Sequence, residues 1–281
     1  SEMESMFDAF DEPFSDTSLI PTMALAKFTR ERITVALSGD GGDEIFGGYV
    51  TYIADAFGRK YRVLPHDVRA FLSSASRALP VSLNRKVGLD FKIRQFLQGA
   101  AHDEETAHYS WRLIFSPEER VKILGEQSRA LVFDTDPLRI FKAYYDEVPH
   151  AETLDRHLYV DAKTWLADDI LVKLDRSAMY RGLEARCPFL DNELVEYMAG
   201  VPSAMKVKGF QLKYIFKKAL QGYLPDWVME RKKSGFNAPV SRWIDASHKG
   251  RREDSLWLKN EHSYFMWHVY DRYTRQQMGR S

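Results

Sequence analysis

Between Ile33 and Tyr49 the chain reads ITVALSGDGGDEIFGGY, and no other stretch limits its fold so tightly. Ile33, Val35, Ala36 and Leu37 form an apolar, partly β-branched run that predicts a short buried strand. The run stops at Ser38-Gly39-Asp40-Gly41-Gly42-Asp43-Glu44, and Ile45 and Phe46 begin a new apolar pattern. Glycines at 39, 41 and 42 let the backbone turn sharply and come close to a ligand, because no Cβ intervenes. Asp40, Asp43 and Glu44 set carboxylates beside the N–H groups of that loop, so a phosphate could be approached there only through a cation such as Mg²⁺. Strand, acidic glycine loop and helix in that order make one corner of an α/β layer.

The loop departs from the common nucleotide and calcium motifs. Glu44 stands where the third glycine of G-x-G-x-x-G belongs, no Gly-Lys-Ser/Thr follows, and the EF-hand spacing fails at Gly42. Two readings stay open on spacing alone: a ligand site, or a tight turn in which Asp40 or Asp43 caps the next helix.

A helix is expected from about Thr17 to Arg30, started by Ser15 or Asp16, and the pattern from Asp43 to about Lys60 is helical. Helix plus buried strand is half a turn of a parallel sheet, and such strands do not occur singly. The chain is therefore expected to begin within a larger sheet. Ser116-Pro117-Glu118-Glu119 is a helix start, and Leu138–Tyr145 and Thr153–Trp165 are helical candidates. Asp169, Lys173 and Arg176 recur at helical spacing, which reads as a solvated face or as a polar row against a cleft. Glu184 and Arg186 are expected to anchor the end of that helix. Residues 209–220 predict an amphipathic helix with Tyr214, Ile215 and Phe216 inward and Lys213, Lys217 and Lys218 outward.

Forty basic and forty acidic residues cancel, which disfavours nucleic acid and anionic membranes as partners. No run reaches transmembrane length, and the acidic opening SEMESMFDAFDE is not a signal peptide, so a cytoplasmic location is expected. A single cysteine, Cys187, excludes an internal disulfide and reads as a small buried hydrophobe. The eight histidines show no paired metal spacing, and a zinc site is not expected. The stretch ERKKSGF (Glu230 to Phe236) is a basic turn in which Lys233 could neutralise charge developing on a phosphoryl oxygen.

Five stretches in order carry a family resemblance: DEPFSDTSLIP (Asp11–Pro21), LSGDGGDEIFGGY (Leu37–Tyr49), LVKLDRSAMYRGLEARCPFLD (Leu171–Asp191), LKYIFKKAL (Leu212–Leu220) and YLPDWVMERKKSGFNAP (Tyr223–Pro239). Together they resemble the synthetase domain of glutamine-hydrolysing asparagine synthetases. The resemblance implies an ATP- and Mg²⁺-dependent ligase that activates aspartate as β-aspartyl-AMP and aminates it with ammonia from glutamine. It implies catalytic roles for Asp40 and Lys233, nucleotide contacts at Ser38, Gly39, Gly41, Asp43, Asp169 and Lys173, and a magnesium ligand in Asp43. Asp40 stands where the best-known members carry the longer glutamate. Neither the N-terminal nucleophilic cysteine of the glutaminase domain nor the Ser-Gly-Gly phosphate loop is found in this sequence. The chain is therefore expected to be a carboxy-terminal part, weak or inactive without those segments, with a homodimer left open.

The fold expected is helix-dominated α/β: the distal part of a doubly wound, ATP-pyrophosphatase-like sheet followed by a helical remainder. Its divisions are a flexible end (1–10), a partial nucleotide-binding unit (11–60), a helical part (61–250) and a helical tail (251–281). The competing readings are an amidotransferase or cyclase acting on a sugar acid or β-amino acid, and a non-catalytic helical interaction module.

Overall fold

The computed structural model describes residues 2–77, 89–231 and 261–278. It divides into two compact units that do not follow chain order. The first gathers Ser1–Gly39, Ala167–Pro188 and Lys232–Ser281, the second Asp40–Leu166 and Phe189–Arg231. Helices dominate both, and the described residues contain one small parallel sheet. No described helix is long and apolar enough to cross a membrane.

In the first unit, helix Leu19–Arg30 is held by its apolar positions. Leu19, Ile20, Met23 and Ala26 recur at helical spacing and are buried. Leu19, Ile20 and Met23 pack with Met6, Phe10, Phe265 and Val269 into one cluster. Full burial of a side chain of this size contributes roughly 1.5–3 kcal/mol. The first ten residues, expected as a loose end, supply helix Glu2–Ala9 and two members of that cluster. The terminal aromatic segment likewise forms helix Glu261–Met278 and supplies Phe265 and Val269. Helix Leu19–Arg30 begins two residues later than expected. The Asp16 carboxylate accepts the Ser18 N–H at 2.8 Å and thereby closes the turn that precedes it.

Strand β1 (Val35–Leu37) pairs in parallel with β2 (Glu184–Arg186), Ala36 opposite Ala185. Ala36 and Ala185 pack on Ala26, Ala178 and Leu183. Val35 and Leu37 point the other way and are 44% and 75% exposed, so β1 is covered on one face and is not the fully buried strand expected. Glu184 and Arg186 also depart from expectation: they lie in β2 rather than at a helix end, 3.5 Å apart and solvated. Cys187, next in the chain, is half-buried rather than buried. The expected helices around Thr153 and Asp168 are joined by π-helical turns over Ala162–Leu171, between helices Thr153–Asp161 and Val172–Met179.

In the second unit the helix expected from Asp43 to Lys60 is two, Gly42–Phe46 and Val50–Arg62. Gly47 breaks them by adopting φ 71°, a left-handed conformation closed to most side chains. Phe46 packs on Phe189 and Phe216 at ring distances of 5.6 and 4.6 Å, with Met198 and Val201 beneath. This aromatic cluster anchors the far end of the glycine loop. Helix Pro117–Leu124 starts with the expected proline and a complete capping box between Ser116 and Glu119.

Candidate active site

The glycine loop leaves β1 at Ser38, whose N–H donates to the Arg186 carbonyl at 2.7 Å and extends the sheet by one bond. Gly39 follows it. Asp40 is half-buried, and Gly41 takes φ 87° as the residue before helix Gly42–Phe46. A Cβ on Gly41 would run into the Leu190 side chain, so this turn admits only glycine on both counts. Neither aspartate is the capping residue. Gly41 holds that position, and Asp43 lies inside the first helical turn.

Asp43 has a partner that was expected to face solvent. Lys213 Nζ lies 2.7 Å from Asp43 Oδ1, with both side chains only about a quarter exposed. Lys213 has φ 54°, the one left-handed non-glycine among the described residues. Its N–H donates to the Gly47 carbonyl at 3.2 Å. A Cβ on Gly48 would collide with Asp43 Oδ1 and Lys213 Cε, so the second glycine of the pair makes room for this ion pair. Lys217 and Lys218 are exposed as expected, and Ile215 and Phe216 pack inward.

The other predicted residues are placed differently. In the first unit, Lys173 is 7% exposed and ion-paired with Asp16, and Arg176 lies 3.3 Å from Asp11. The DEPFSD and LVKLDRSAM stretches therefore lock to each other, and Lys173 does not belong to a solvated row. Burial pushes the Asp16 carboxyl up, but the Lys173 ammonium and the Ser18 N–H and hydroxyl together hold its pKa below the ordinary value. Asp169 is half-buried within the π-helical turns, so the spacing that joined it to Lys173 on one α-helical face is not realised there. Lys233 lies outside the described residues.

Behind the loop, the second unit holds a polar core that the sequence reading missed. His108 Nδ1 meets Asp55 Oδ2 at 2.7 Å and Nε2 meets Asp161 Oδ1 at 3.2 Å, so both ring nitrogens donate and the ring is an imidazolium. Arg112 Nη2 and Tyr52 OH reach Asp161 Oδ2 at 2.6 and 2.7 Å, and Trp111 Nε1 donates to Asp55 Oδ1 at 2.6 Å. Two carboxylates thus face two cations, a balance that makes their burial tolerable. Burial opposes the charge on His108, but Asp161 and Asp55 raise its pKa to about 9. The Arg112 guanidinium is stacked between the Tyr49 and Trp165 rings, each 4.7 Å away. Tyr49 OH donates to the buried Glu44 next to Asp43. Desolvation raises the pKa of Glu44 despite that bond.

Asp55, His108 and His157 bring three potential metal-ligand side chains together, although the histidines show no paired metal spacing in sequence. The His108 and His157 rings, however, are stacked 4.2 Å apart and 8° from parallel, which aims their lone pairs along parallel planes rather than at one ion. His157 Nδ1 is engaged by Tyr145 OH at 2.7 Å. Burial and the neighbouring imidazolium lower its pKa to about 3, so the ring is neutral. The advance signal was the pair His157/Asp161, four apart on one face of helix Thr153–Asp161; Arg112 is four residues past His108 but lies beyond the end of helix Glu104–Ser110.

The geometry defines a helix-dominated α/β protein with an acidic glycine loop braced by a lysine and a polar core. Comparison with known proteins takes this further. The asparagine synthase family model matches residues 1–277, and the chain belongs to that family. It is 28% identical over 260 residues to a Bacillus subtilis asparagine synthetase (glutamine-hydrolysing) 1, covering 92% of this chain and 38% of that protein. A second B. subtilis protein, asparagine synthetase (glutamine-hydrolysing) 3, is 30% identical over 193 residues, 57% of this chain and 30% of its own length. The amidase chry2 of Gibberella zeae is 26% identical over 246 residues, 82% of this chain and 36% of its own. The chain thus spans 30–38% of the length of these relatives. No solved structure matches it.

Proposed function

We propose that this chain is the synthetase part of an ATP-dependent amide ligase that converts aspartate to asparagine through β-aspartyl-AMP. The observation that carries the reading, beside the family, is the left-handed glycine turn that presents Asp40 and Asp43 at the end of β1. Hydroxide is a poor leaving group, so a carboxylate must be activated before ammonia can displace anything from it. A carboxylate oxygen attacks the α-phosphorus, the α–β bridging bond breaks, and pyrophosphate leaves. Ammonia then attacks the acyl carbon, AMP departs, and the nitrogen loses a proton, for which Asp40 is the assigned acceptor.

Ser38, Gly39 and Gly41 are assigned to backbone contacts with the nucleotide, and Lys233 to the charge on its phosphate. Asp43 suits a magnesium ion: it offers a hard oxygen ligand, half-buried, at a point where a cation is already accommodated. Magnesium when bound supplies neutralisation of the triphosphate charge. Asp169 is assigned to the edge of the nucleotide site, and Lys173, engaged by Asp16, to bracing the helix that carries it. Ammonia would come from a glutaminase segment, and the remaining phosphate contacts from a Ser-Gly-Gly loop, neither of which this sequence contains.

The test is release of pyrophosphate from ATP and Mg²⁺ with ammonium and a panel of carboxylates. It is run on this chain alone and joined to the unmatched remainder of B. subtilis asparagine synthetase (glutamine-hydrolysing) 1. Aspartate-dependent release by the joined protein, lost in Lys233→Ala, is expected, with little from the chain alone. Release with another carboxylate but not aspartate would overturn the substrate assignment, and an amidase-named relative makes that arm worth running. A folded joined protein that releases no pyrophosphate with any carboxylate would overturn the ligase reading.

A further inference from the structure

We infer that Lys213 is the resident counter-cation of the glycine loop, excluding free divalent metal from Asp43 and admitting it together with an anionic phosphate. The inference rests on the assignment of Asp43 to magnesium made above. Three independent features of the second unit converge on this lysine. Its ammonium sits 2.7 Å from Asp43 Oδ1, with the two side chains 26% and 24% exposed, too enclosed for water to screen the pair fully. Its backbone is held left-handed at φ 54° while its N–H is tied to the Gly47 carbonyl. A non-glycine residue persists in that conformation only where its surroundings enforce it, and such positions concentrate at ligand sites. Finally, the loop is glycine where this side chain passes: a Cβ on Gly48 would strike both Lys213 Cε and Asp43 Oδ1.

A structural brace and a counter-cation differ in what they do to ligands. A carboxylate already neutralised by an ammonium attracts a bare dication weakly, because the dication must displace that ammonium or bind beside a like charge. Once a phosphate arrives, the ammonium has a second anion to turn to, and Asp43 is released to the metal. Lys213 therefore favours phosphate and disfavours free metal, whereas loss of a mere brace would weaken both.

The experiment measures binding of Mn²⁺ alone, and of inorganic pyrophosphate in the presence of Mg²⁺, by calorimetry and electron paramagnetic resonance. The proteins are wild type, Lys213→Met, Lys213→Arg and Lys213→Gly. Glycine removes the charge while accepting the left-handed backbone, so it reports even where the methionine chain fails to fold. Both neutral variants are expected to bind Mn²⁺ about tenfold more tightly than wild type and pyrophosphate about tenfold more weakly, with arginine close to wild type. The metal arm decides by itself. Neutral variants that bind Mn²⁺ no better than wild type overturn the counter-cation role while leaving the magnesium assignment standing. If neither wild type nor any variant binds Mn²⁺, with or without pyrophosphate, the magnesium assignment fails and this inference with it.

Discussion

Asp161 shows how much one side chain can organise. It is fully buried and accepts from Arg112, His108 and Tyr52; burial opposes its charge, but the Arg112 and His108 cations and these hydrogen bonds hold its pKa below the ordinary carboxylate range. Replacing it by Asn leaves Arg112 and His108 with one carboxylate between them, and removing one partner of a buried pair costs about 3–5 kcal/mol. Urea unfolding of Asp161→Asn should show a loss of that size. The pH dependence carries a second signature. The His108 pKa rises from 6.5 unperturbed to about 9 when folded, so its stabilisation is complete below pH 6.5 and is lost as pH rises toward 9. His157 shifts the opposite way, to about 3, so its contribution is complete above pH 6.5 and is lost as pH falls. Thermal stability should therefore peak near neutral pH. In Asp161→Asn the alkaline limb should move to lower pH, since Asp161 is the largest influence raising His108. An unmoved alkaline limb would mean that His108 is not an imidazolium in the native protein.

At the scale of elements, local chemistry was readable where a start or stop depends on neighbours in sequence. Ser116, Pro117 and Glu119 specify the start of helix Pro117–Leu124, and both bonds of the capping box are present, at 3.3 and 2.9 Å. Ser116→Ala should cost about 1 kcal/mol in equilibrium unfolding, with far-ultraviolet dichroism nearly unchanged. A loss below a few tenths would show that the cap does not limit that helix. Where two local preferences compete, the pattern misled. Apolar spacing from Asp43 to Lys60 is continuous, but Gly47 makes the left-handed turn that ends one helix before the next begins. Glu184-Ala185-Arg186 has no strand pattern of its own and becomes β2 because its backbone completes the ladder of β1.

For the whole molecule, charge and exposed apolar surface act together. Net charge is zero and the isoelectric point is near 7.1, so little repulsion keeps copies apart at neutral pH. Ile33, Val35 and Leu37 on and beside β1 are each more than 40% exposed. Static light scattering should find self-association greatest near pH 7, falling on either side, and reduced in Leu37→Lys. Association unchanged by the substitution would place the sticky surface elsewhere. The start of helix Pro117–Leu124, the position of the acidic glycine loop and the family were legible in the residues, because each rests on short-range spacing or a contiguous motif. The sites were only partly so. Asp55 and Asp161 each lie 53 residues from His108, and nothing in the local pattern says that they will meet across its ring. Lys213 reads as one more outward cation of a basic helix. Its place on Asp43 follows from the break at Gly47 and the aromatic cluster of Phe46, Phe189 and Phe216, which bring two distant segments together. Short-range sterics and apolar periodicity settle what each segment becomes. Which charges share a low-dielectric space depends on packing, and only the tertiary structure decided it.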